Sequence, residues 1–356
     1  MNNKTKLTMR KFIVVLSLFA CSCVTFAQSG GIIVVSTEQQ KAQRFFNQAL
    51  SSFQQKKYDS ALIYVNNTLK INANMGDAYI LKANVQQEMG QLQNAVATWL
   101  VFADKTGKKD SAYYMVSKLY YDNADYESSL KHVQLAIDIK NSDYKTHYLK
   151  GLNNYRLEKY EDAIADFTTA ITLRETVSEL YNDRGNAYCK AKNYQQAIED
   201  YTQAIRIKSI SPYFNNRANA EYQLGNYLHA IDDYTTAIQL DRTNYLLFCN
   251  RGIAKLALTE YQDALEDFHI CIQLNNNFLN GYNYRGIVYF KLKRYEDAMS
   301  DFNKVISMNP ESAEAYLHRG NTYEMLRNPQ KACQDWQQAS EMGVEKAKDY
   351  INNQCK

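Results

Sequence analysis

The chain has 356 residues, of which 46% are hydrophobic and 22% are charged, and it contains only 13 glycines and 3 prolines. This composition excludes a long disordered tract, because enough apolar side chains are present to form a core, and it argues against a β-rich or linker-rich architecture. The 41 Lys and Arg residues and the 38 Asp and Glu residues give a formal net charge of +3, which is too small to indicate a nucleic-acid partner.

The N-terminal segment, residues 1–27, is typical of an export signal. A basic stretch, MNNKTKLTMRK, precedes an apolar stretch at residues 12–26, which is shorter than the ~20 residues that a membrane-spanning helix requires. Two routes of processing are open: cleavage after Ala27, or lipidation of Cys21 in the sequence LFAC, which would end the signal at residue 20. Loss of the four cations of the basic stretch changes the net charge from +3 to −1. We therefore expect an exported protein, in the periplasm or at the outer membrane, whose mature chain has no transmembrane span and whose lipid anchor, on the second route, is Cys21.

A period of 34 residues governs the chain from residue 42 to residue 345. Residues 28–41 form a short linker and the cap of the first helix, because the sequence STEQ at residues 36–39 is a capping-box pattern. Each repeat contains two small residues that are twelve positions apart, and the second of them is Ala61 in the first repeat and Ala332 in the ninth. The first small residue, called the anchor, recurs nine times as Ala49, Ala83, Ser117, Gly151, Gly185, Ala218, Gly252, Gly286 and Gly320.

Large side chains accompany the anchors at constant distances. An aromatic residue or a histidine precedes each anchor by four positions, as Tyr181 precedes Gly185, and an aromatic residue or a valine follows it by sixteen, as Tyr201 does. Apolar residues recur at helical spacing within each half of a repeat, and a turn such as LGN at residues 224–226 separates the halves. Each repeat is therefore predicted to be two antiparallel helices that approach closely at the small residues, and stacked repeats would bury a continuous core.

The period, the paired small residues, the aromatic pair and Pro310 at the end of a repeat resemble the tetratricopeptide repeat family. The resemblance covers residues 42–345 and implies an all-α fold: a right-handed α-solenoid of about nine 34-residue helix-turn-helix repeats, with a C-terminal cap helix and tail at residues 344–356. The leucine that the family usually has just before the anchor is mostly Arg or Lys here, and the closing proline occurs only at Pro310. The repeats before about Ser142 are the most divergent.

A basic residue precedes the anchor in six consecutive repeats, and an aspartate follows that basic residue by sixteen positions each time. In the three earlier repeats the aspartate is absent, and the facing residues are Lys82 with Thr98, Val116 with His132, and Gln48 with Tyr64. The joint appearance of the basic residue and the aspartate predicts a ladder of ion pairs between helices, either inside each repeat or across to the next; the alternative is duplication of two unrelated surface residues. The predicted pairs are Lys150 with Asp166, Arg184 with Asp200, Arg217 with Asp233, Arg251 with Asp267, Arg285 with Asp301, and Arg319 with Asp335.

Five cysteines follow the signal: Cys189, Cys249, Cys271, Cys333 and Cys355. The last two lie ten residues before and twelve residues after Gly343, so that a chain reversal at this glycine would bring their sulfurs level. Because export permits oxidation, we predict a disulfide between Cys333 and Cys355 that fastens the cap helix to the last repeat. The alternative is one buried thiol and one thiol on a frayed tail.

The motifs of common catalytic and metal sites are missing from the sequence. Its five histidines fall in different repeats and different helical phases, and no H-E-x-x-H, P-loop, G-x-S-x-G or C-x-x-C pattern occurs. The repeats leave no segment large enough for a separate catalytic domain. We therefore predict a protein that is not an enzyme and that holds no cofactor and no metal.

In tetratricopeptide arrays the first helix of each repeat lines a concave groove, and the resemblance implies such a surface here. By helical phase, its first half is aromatic and its middle is rich in asparagine, whose amide donates and accepts hydrogen bonds and so suits an extended peptide. The aromatic rings would serve as anchoring contacts. An ordinary solvated face is the alternative for the asparagines. The predicted groove residues are Phe46, Phe53, Tyr114, Tyr121, Tyr148, Tyr155, Asn182, Asn186, Asn215, Asn219, Tyr222, Asn283, Phe290 and Asn321.

The resemblance therefore implies a non-catalytic scaffold that binds a protein partner, with an extended segment of that partner in the groove. The alternative is a structural or lipid-anchored component of a cell-envelope assembly that docks through its convex face or its ends. Recognition of cell-wall glycan by the aromatic half is a more remote interpretation. The set of lysines, asparagines and arginine with which some family members hold acidic chaperone tails is absent as a set.

Overall fold

The computed structural model describes residues 37–355 as nineteen α-helices, and the predicted all-α class is confirmed for that part of the chain. The predicted signal, with Cys21 and Ala27, and linker residues 28–36 lie outside the described residues. None of the described helices combines the length and the hydrophobicity of a bilayer-spanning segment. In chain order the helices are α1 Thr37–Gln54, α2 Tyr58–Ile71, α3 Gly76–Glu88, α4 Leu92–Thr106, α5 Lys109–Asp122, α6 Tyr126–Ile139, α7 Tyr144–Arg156, α8 Tyr160–Leu173, α9 Ser178–Lys190, α10 Tyr194–Ile207, α11 Ser211–Gln223, α12 Tyr227–Leu240, α13 Tyr245–Ala257, α14 Tyr261–Leu274, α15 Leu279–Lys291, α16 Tyr295–Met308, α17 Ala313–Met325, α18 Pro329–Glu341 and α19 Glu345–Gln354.

The first eighteen helices form nine hairpins, and the two helices of a hairpin are called A (odd numbers) and B (even numbers). Each A helix packs along the B helix of its own repeat, and each B helix packs on the A helix of the next repeat. Most consecutive A helices also contact each other, as α7 contacts α9, whereas consecutive B helices in residues 37–355 contact each other less. The A helices therefore form the inner layer of a solenoid and the B helices form its outer layer.

Small residues determine how closely the A and B helices of a repeat approach. The ring of Phe302 fills the space beside Gly286, because a Cβ atom at this glycine would lie 2.7 Å from the Phe302 Cε1 atom. The ring of Tyr201 fills the equivalent space beside Gly185, where a Cβ atom would lie 2.8 Å from Cε1. Rings at this position are fully buried, and each such burial is worth about 1.5–3 kcal/mol. The structure thus gives the same packing unit in successive repeats.

Every A–B turn contains one residue in the left-handed conformation. Gly90 and Gly225 are the two glycines among them. The turn closes in a regular way: the N–H of Lys192 donates to the carbonyl of Cys189, and the N–H of the next residue donates to the carbonyl of Tyr188. These bonds satisfy carbonyl groups that the end of a helix leaves unpaired. The non-glycine residues in this conformation are Lys56, Ala124, Glu158, Lys192, Thr259, Lys293 and Arg327, with φ between 58° and 63°.

Helix α19 covers the exposed side of the last hairpin. Its Ala347 is fully buried, and the ring of Tyr350 stacks on that of Trp336 with the centroids 5.2 Å apart. Cys333 on α18 and Cys355, which follows α19, form a disulfide. The covalent bond and the stacked rings therefore both hold the terminal helix on the last repeat.

Candidate interaction surface

The recurring arginine lies between the two helices of its own repeat. Arg184 on α9 donates from Nε and Nη2 to the two carboxylate oxygens of Asp200 on α10, at 2.8 and 2.7 Å. In the preceding repeat the Lys150 ammonium lies 3.2 Å from the Asp166 carboxylate. The structure thus brings the partners of each predicted pair together within one repeat. The remaining pairs, with N–O distances of 2.6 to 2.9 Å, are Arg217 with Asp233, Arg251 with Asp267, Arg285 with Asp301, and Arg319 with Asp335.

Four of these arginines also reach the preceding repeat. Arg184 donates from Nη1 to the hydroxyl oxygen of Thr168 on α8, at 2.9 Å. The guanidinium therefore joins three helices rather than two. Reasoning from the sequence missed these acceptors, although each stands one position after the buried aromatic residue of its repeat. The equivalent contacts, at 2.7 to 3.0 Å, join Arg217 to Thr202, Arg251 to Thr235, and Arg319 to Asn303.

The aromatic residue three positions before each arginine lies beside its guanidinium. Cζ of Arg184 is 5.9 Å from the centroid of the Tyr181 ring, a distance at which cation–π attraction contributes about 0.5–1 kcal/mol. Burial opposes the charge of Arg184, but hydrogen bonds to Asp200 outweigh it and raise the pKa of the guanidinium. Burial also raises the pKa of Asp200, against the opposing effect of Arg184. Both partners are therefore desolvated, so that a partner left alone would be costly.

The second and third repeats use neutral hydrogen bonds between their A and B helices. In the second repeat, the hydroxyl of Thr98 donates to the side-chain oxygen of Gln86 at 2.7 Å. In the third, Ser117 and Ser129 each donate to the backbone carbonyl of the other at 2.8 Å.

The predicted groove residues all lie on A helices, in the inner layer. They occupy positions three before, one after and four after the anchor, which share one face of a helix. Asn219 is exposed and the other thirteen are half-buried. None of the fourteen is sealed in the core, so this surface remains open to a partner.

Tyrosines that begin B helices contact the aromatic groove residues that stand four positions after the anchor. The ring centroids of Tyr222 and Tyr227 are 5.2 Å apart, and those of Tyr155 and Tyr160 are 5.8 Å apart. Reasoning from the sequence missed these B-helix tyrosines, although they recur with the repeat. Rings that are already oriented lose less conformational entropy when a partner binds. The same contact, at 5.5 to 5.9 Å, joins Phe53 to Tyr58, Tyr121 to Tyr126, and Phe290 to Tyr295.

Three predicted groove asparagines are already engaged by the buried core. The hydroxyl of Tyr234 donates to the side-chain oxygen of Asn219 at 2.6 Å. The hydroxyl of Tyr201 does the same to Asn186, and the indole N–H of Trp336 to Asn321, both at 2.8 Å. Each of these oxygens accepts one hydrogen bond from the core and keeps a second lone pair, and the contact of these amides with a peptide stays a prediction.

The sequence indicates that these asparagines accept a hydrogen bond from a buried ring. The residue after the anchor is asparagine in repeats two, five, six and nine, where the buried ring carries a polar atom, and the hydrogen bond forms in repeats five, six and nine. A buried hydroxyl or indole N–H without an acceptor would cost about 1–3 kcal/mol, which explains the pairing. Where the buried ring is a phenylalanine, the pairs are instead Leu152 with Phe167, Ile253 with Phe268, and Ile287 with Phe302.

The other asparagines form a chain of amides along the inner layer. Asn216 on α11 donates to the side-chain oxygen of Asn182 on α9 at 2.9 Å. Asn250 on α13 donates to that of Asn215 on α11 at 3.4 Å. The side-chain oxygen of Asn283 is buried and has no hydrogen-bond partner among the described residues. The hydrogen bonds between these amides therefore lie in the middle repeats, on α9, α11 and α13.

The histidines make structural contacts. Nε2 of His147 lies 2.7 Å from the side-chain oxygen of Asn141, and Nε2 of His269 lies 2.8 Å from the hydroxyl of Tyr289. Within residues 37–355, no group of three or more His, Cys, Asp or Glu side chains has an arrangement that could hold a metal ion.

Models of the tetratricopeptide repeat match residues 144–176, 178–209, 211–244, 280–312 and 302–334. The chain is similar to DnaJ homolog subfamily C member 3 of Gallus gallus, with 27% identity over 109 residues, which are 31% of this chain and only 22% of that relative.

Solved structures share the fold. A tetratricopeptide repeat protein from Parabacteroides merdae has a TM-score of 0.55 at 19% identity, over 70% of this chain and 100% of the other. The C-terminal part of a repeat-containing protein from Cytophaga hutchinsonii has a TM-score of 0.56 at 20% identity, over 66% and 98% of the two chains. Together with the nine hairpins and the small anchors of the described residues, these matches show that the chain contains tetratricopeptide repeats and has the tetratricopeptide fold.

Proposed function

We propose that this chain is a non-catalytic scaffold that binds an extended segment of another protein along its inner layer. Tetratricopeptide folds are typical of protein–protein interaction. The observation that carries the proposal is the row of half-buried aromatic and amide side chains on successive A helices. Rings held by neighbouring tyrosines can cover apolar side chains of a partner, and the amide nitrogens can donate to its backbone carbonyls.

The proposed place of action is outside the cytoplasm, in the periplasm or at the outer membrane. The basic and apolar start of the sequence supports export, and the Cys333–Cys355 disulfide suits an oxidising compartment. The intact mass of the protein isolated from its host tests this proposal. Cleavage after Ala27 and lipidation of Cys21 give different masses, and recovery of the unprocessed chain alone would contradict export.

A second candidate function is a structural subunit that docks through the outer layer. A row of exposed aliphatic residues, one at the end of each of five successive B helices, favours it. Contiguous exposed apolar surface often marks an interaction site. The row consists of Ile139, Leu173, Ile207, Leu240 and Leu274.

Photo-crosslinking in the native host distinguishes the two functions. A photoreactive residue is placed at Tyr155 in the inner layer or at Leu173 in the outer layer of the same repeat, and the attached proteins are identified by mass spectrometry. Groove binding predicts a partner at position 155 that disappears when Tyr121 and Tyr222 are both changed to Ala. Attachment at position 173 alone would contradict it and support the second function.

A further inference from the structure

Few charged residues interrupt the mostly neutral inner layer, and one of them is a carboxylate in the middle of the array. The positions compared are the three groove positions given above, together with the adjacent position two before the anchor, which is buried in some repeats, as at Leu81. Across the nine repeats, the charged residues at these positions are Lys118, Asp183 and Glu324. Asp183 lies on α9, next to the amide chain in the middle of the array. At these positions it is therefore the one charged residue of repeats four to eight.

Three neutral donors orient the carboxylate of Asp183. The hydroxyl of Tyr148 on α7 donates to Oδ2 at 2.6 Å. The side-chain nitrogens of Asn182 and Asn186 donate to Oδ1 at 2.9 and 3.3 Å. Donors from two successive repeats thus hold this group in one orientation.

The carboxylate has no cationic partner among residues 37–355. Burial raises the pKa of Asp183, and the three hydrogen bonds that it accepts oppose this rise. The neighbouring carboxylate of Glu179 has the same sign of charge and raises the pKa further. By contrast, the six aspartates of the ladder each contact an arginine or a lysine. Asp183 is half-buried, and a partly desolvated carboxylate without a counterion is an unfavourable arrangement that a bound cation would relieve.

Tyrosines surround this carboxylate. The hydroxyl of Tyr148 donates a hydrogen bond to it. Tyr155 lies nearby: burial raises the pKa of its hydroxyl, and the negative charge of Asp183 raises it further. An ammonium or guanidinium group at such a place gains a charge-assisted hydrogen bond to the carboxylate and attraction to the faces of the rings.

We propose that Asp183 recognises a lysine or arginine side chain of the segment that binds in the groove. The inference rests on the proposed function and deepens it, because it assigns a positive charge to the part of the segment that lies over α9. A partner segment with an acidic side chain at that point would be rejected, since it would bring a like charge to the carboxylate.

The probe is a phage-displayed library of random twelve-residue peptides, selected in parallel on the mature chain, on Asp183→Asn and on Glu199→Gln. Glu199 is an exposed acid of the outer helix α10 and serves as the matched control. We expect peptides selected by the native chain and by the control to share a basic residue at one position, and those selected by Asp183→Asn to lack it. A synthetic peptide from the selection should bind Asp183→Asn about 30-fold or more weakly.

The outcomes separate this inference from the function on which it rests. Groove-binding peptides without a shared basic residue, or with the same residue on Asp183→Asn, would overturn the role of Asp183 alone. If no selected peptide lost affinity for Tyr155→Ala, the groove function would be overturned as well. Should Asp183→Asn unfold, exchange of the peptide lysine for norleucine tests the same contact on the native chain, with the same loss expected.

Discussion

Repeats four to nine (α7–α18) and repeats one to three (α1–α6) have the same hairpins but different contacts between their helices. The later repeats place a buried ion pair beside the anchor, whereas the earlier ones place neutral hydrogen bonds or apolar packing there. In the second repeat, burial lowers the pKa of Lys82, which occupies the arginine position without an aspartate opposite it. Because both regions fold alike, the ion pair is not what brings the helices together.

This comparison indicates that the small anchors allow the A and B helices to approach closely, and that the ion pair fixes how those helices are oriented. An arginine that contacts Asp200 and also Thr168 of the repeat before it can be satisfied in one arrangement of three helices. An intact buried pair need not stabilise the fold much, but it penalises every arrangement that leaves one charge unpaired. Variants of these contacts test the distinction, from the largest expected effect to the smallest.

Removal of one charge of an ion pair should produce the largest difference in the free energy of unfolding between the later and the earlier repeats. Arg217→Met leaves Asp233 buried with no cation, and we expect a loss of about 3–5 kcal/mol in the free energy of unfolding, measured by denaturant titration. Arg251→Met should cost less, because the Lys255 ammonium remains 2.8 Å from Asp267.

Two controls sharpen this test. Lys82→Met in the second repeat should cause little loss, since no aspartate is left behind. The double variant Arg217→Met with Asp233→Leu should recover most of the loss; strict additivity of the two single changes would contradict the ladder.

Loss of the disulfide should promote local unfolding at the C-terminal end of the array and leave the N-terminal end unchanged. Cys355→Ser removes the bond to Cys333 across a separation of 22 residues, and we expect a loss of about 3 kcal/mol that is confined to α18 and α19. Hydrogen exchange of the α19 amides measures it, with α1 as the internal reference. Alkylation of both Cys333 and Cys355 in the denatured, unreduced chain would show that the disulfide does not form.

The asparagine that follows the anchor tests the neutral contacts of the later repeats. Asn219→Ile leaves the buried hydroxyl of Tyr234 without its acceptor, so the free energy of unfolding should fall by about 1–3 kcal/mol. Adding Tyr234→Phe should restore most of it, because Ile253 with Phe268 already forms such an apolar pair in the next repeat. Failure of the double variant to recover would contradict the compensation argument.

The smallest expected effect concerns the A–B turns, which both regions share. Thr259 is β-branched and has φ of 62°, so Thr259→Gly should raise the free energy of unfolding by up to about 1 kcal/mol. The matched change Gly225→Thr, at φ of 81°, should lower it by a similar amount. Thermal melting of both variants checks the signs; equal signs would show that backbone conformation does not govern these positions.

Much of the fold could be predicted from the sequence because a repeat contacts only its neighbours. The period of 34, the anchors such as Gly286 and the ring sixteen residues later were sufficient to indicate the hairpins and the helix approach. The positions of the groove residues followed from helical phase for the same reason, since a phase within one helix depends on residue spacing alone.

The sequence by itself determined the repeat, the helix pairs and the residues that share a face. The tertiary structure alone decided which polar atoms meet: Thr168 with Arg184, Tyr148 with Asp183, and Asn219 with Tyr234. These contacts join side chains on different helices, so they depend on how far one helix is shifted and rotated against the next. Packing of the whole core sets that offset, and residue spacing does not encode it locally.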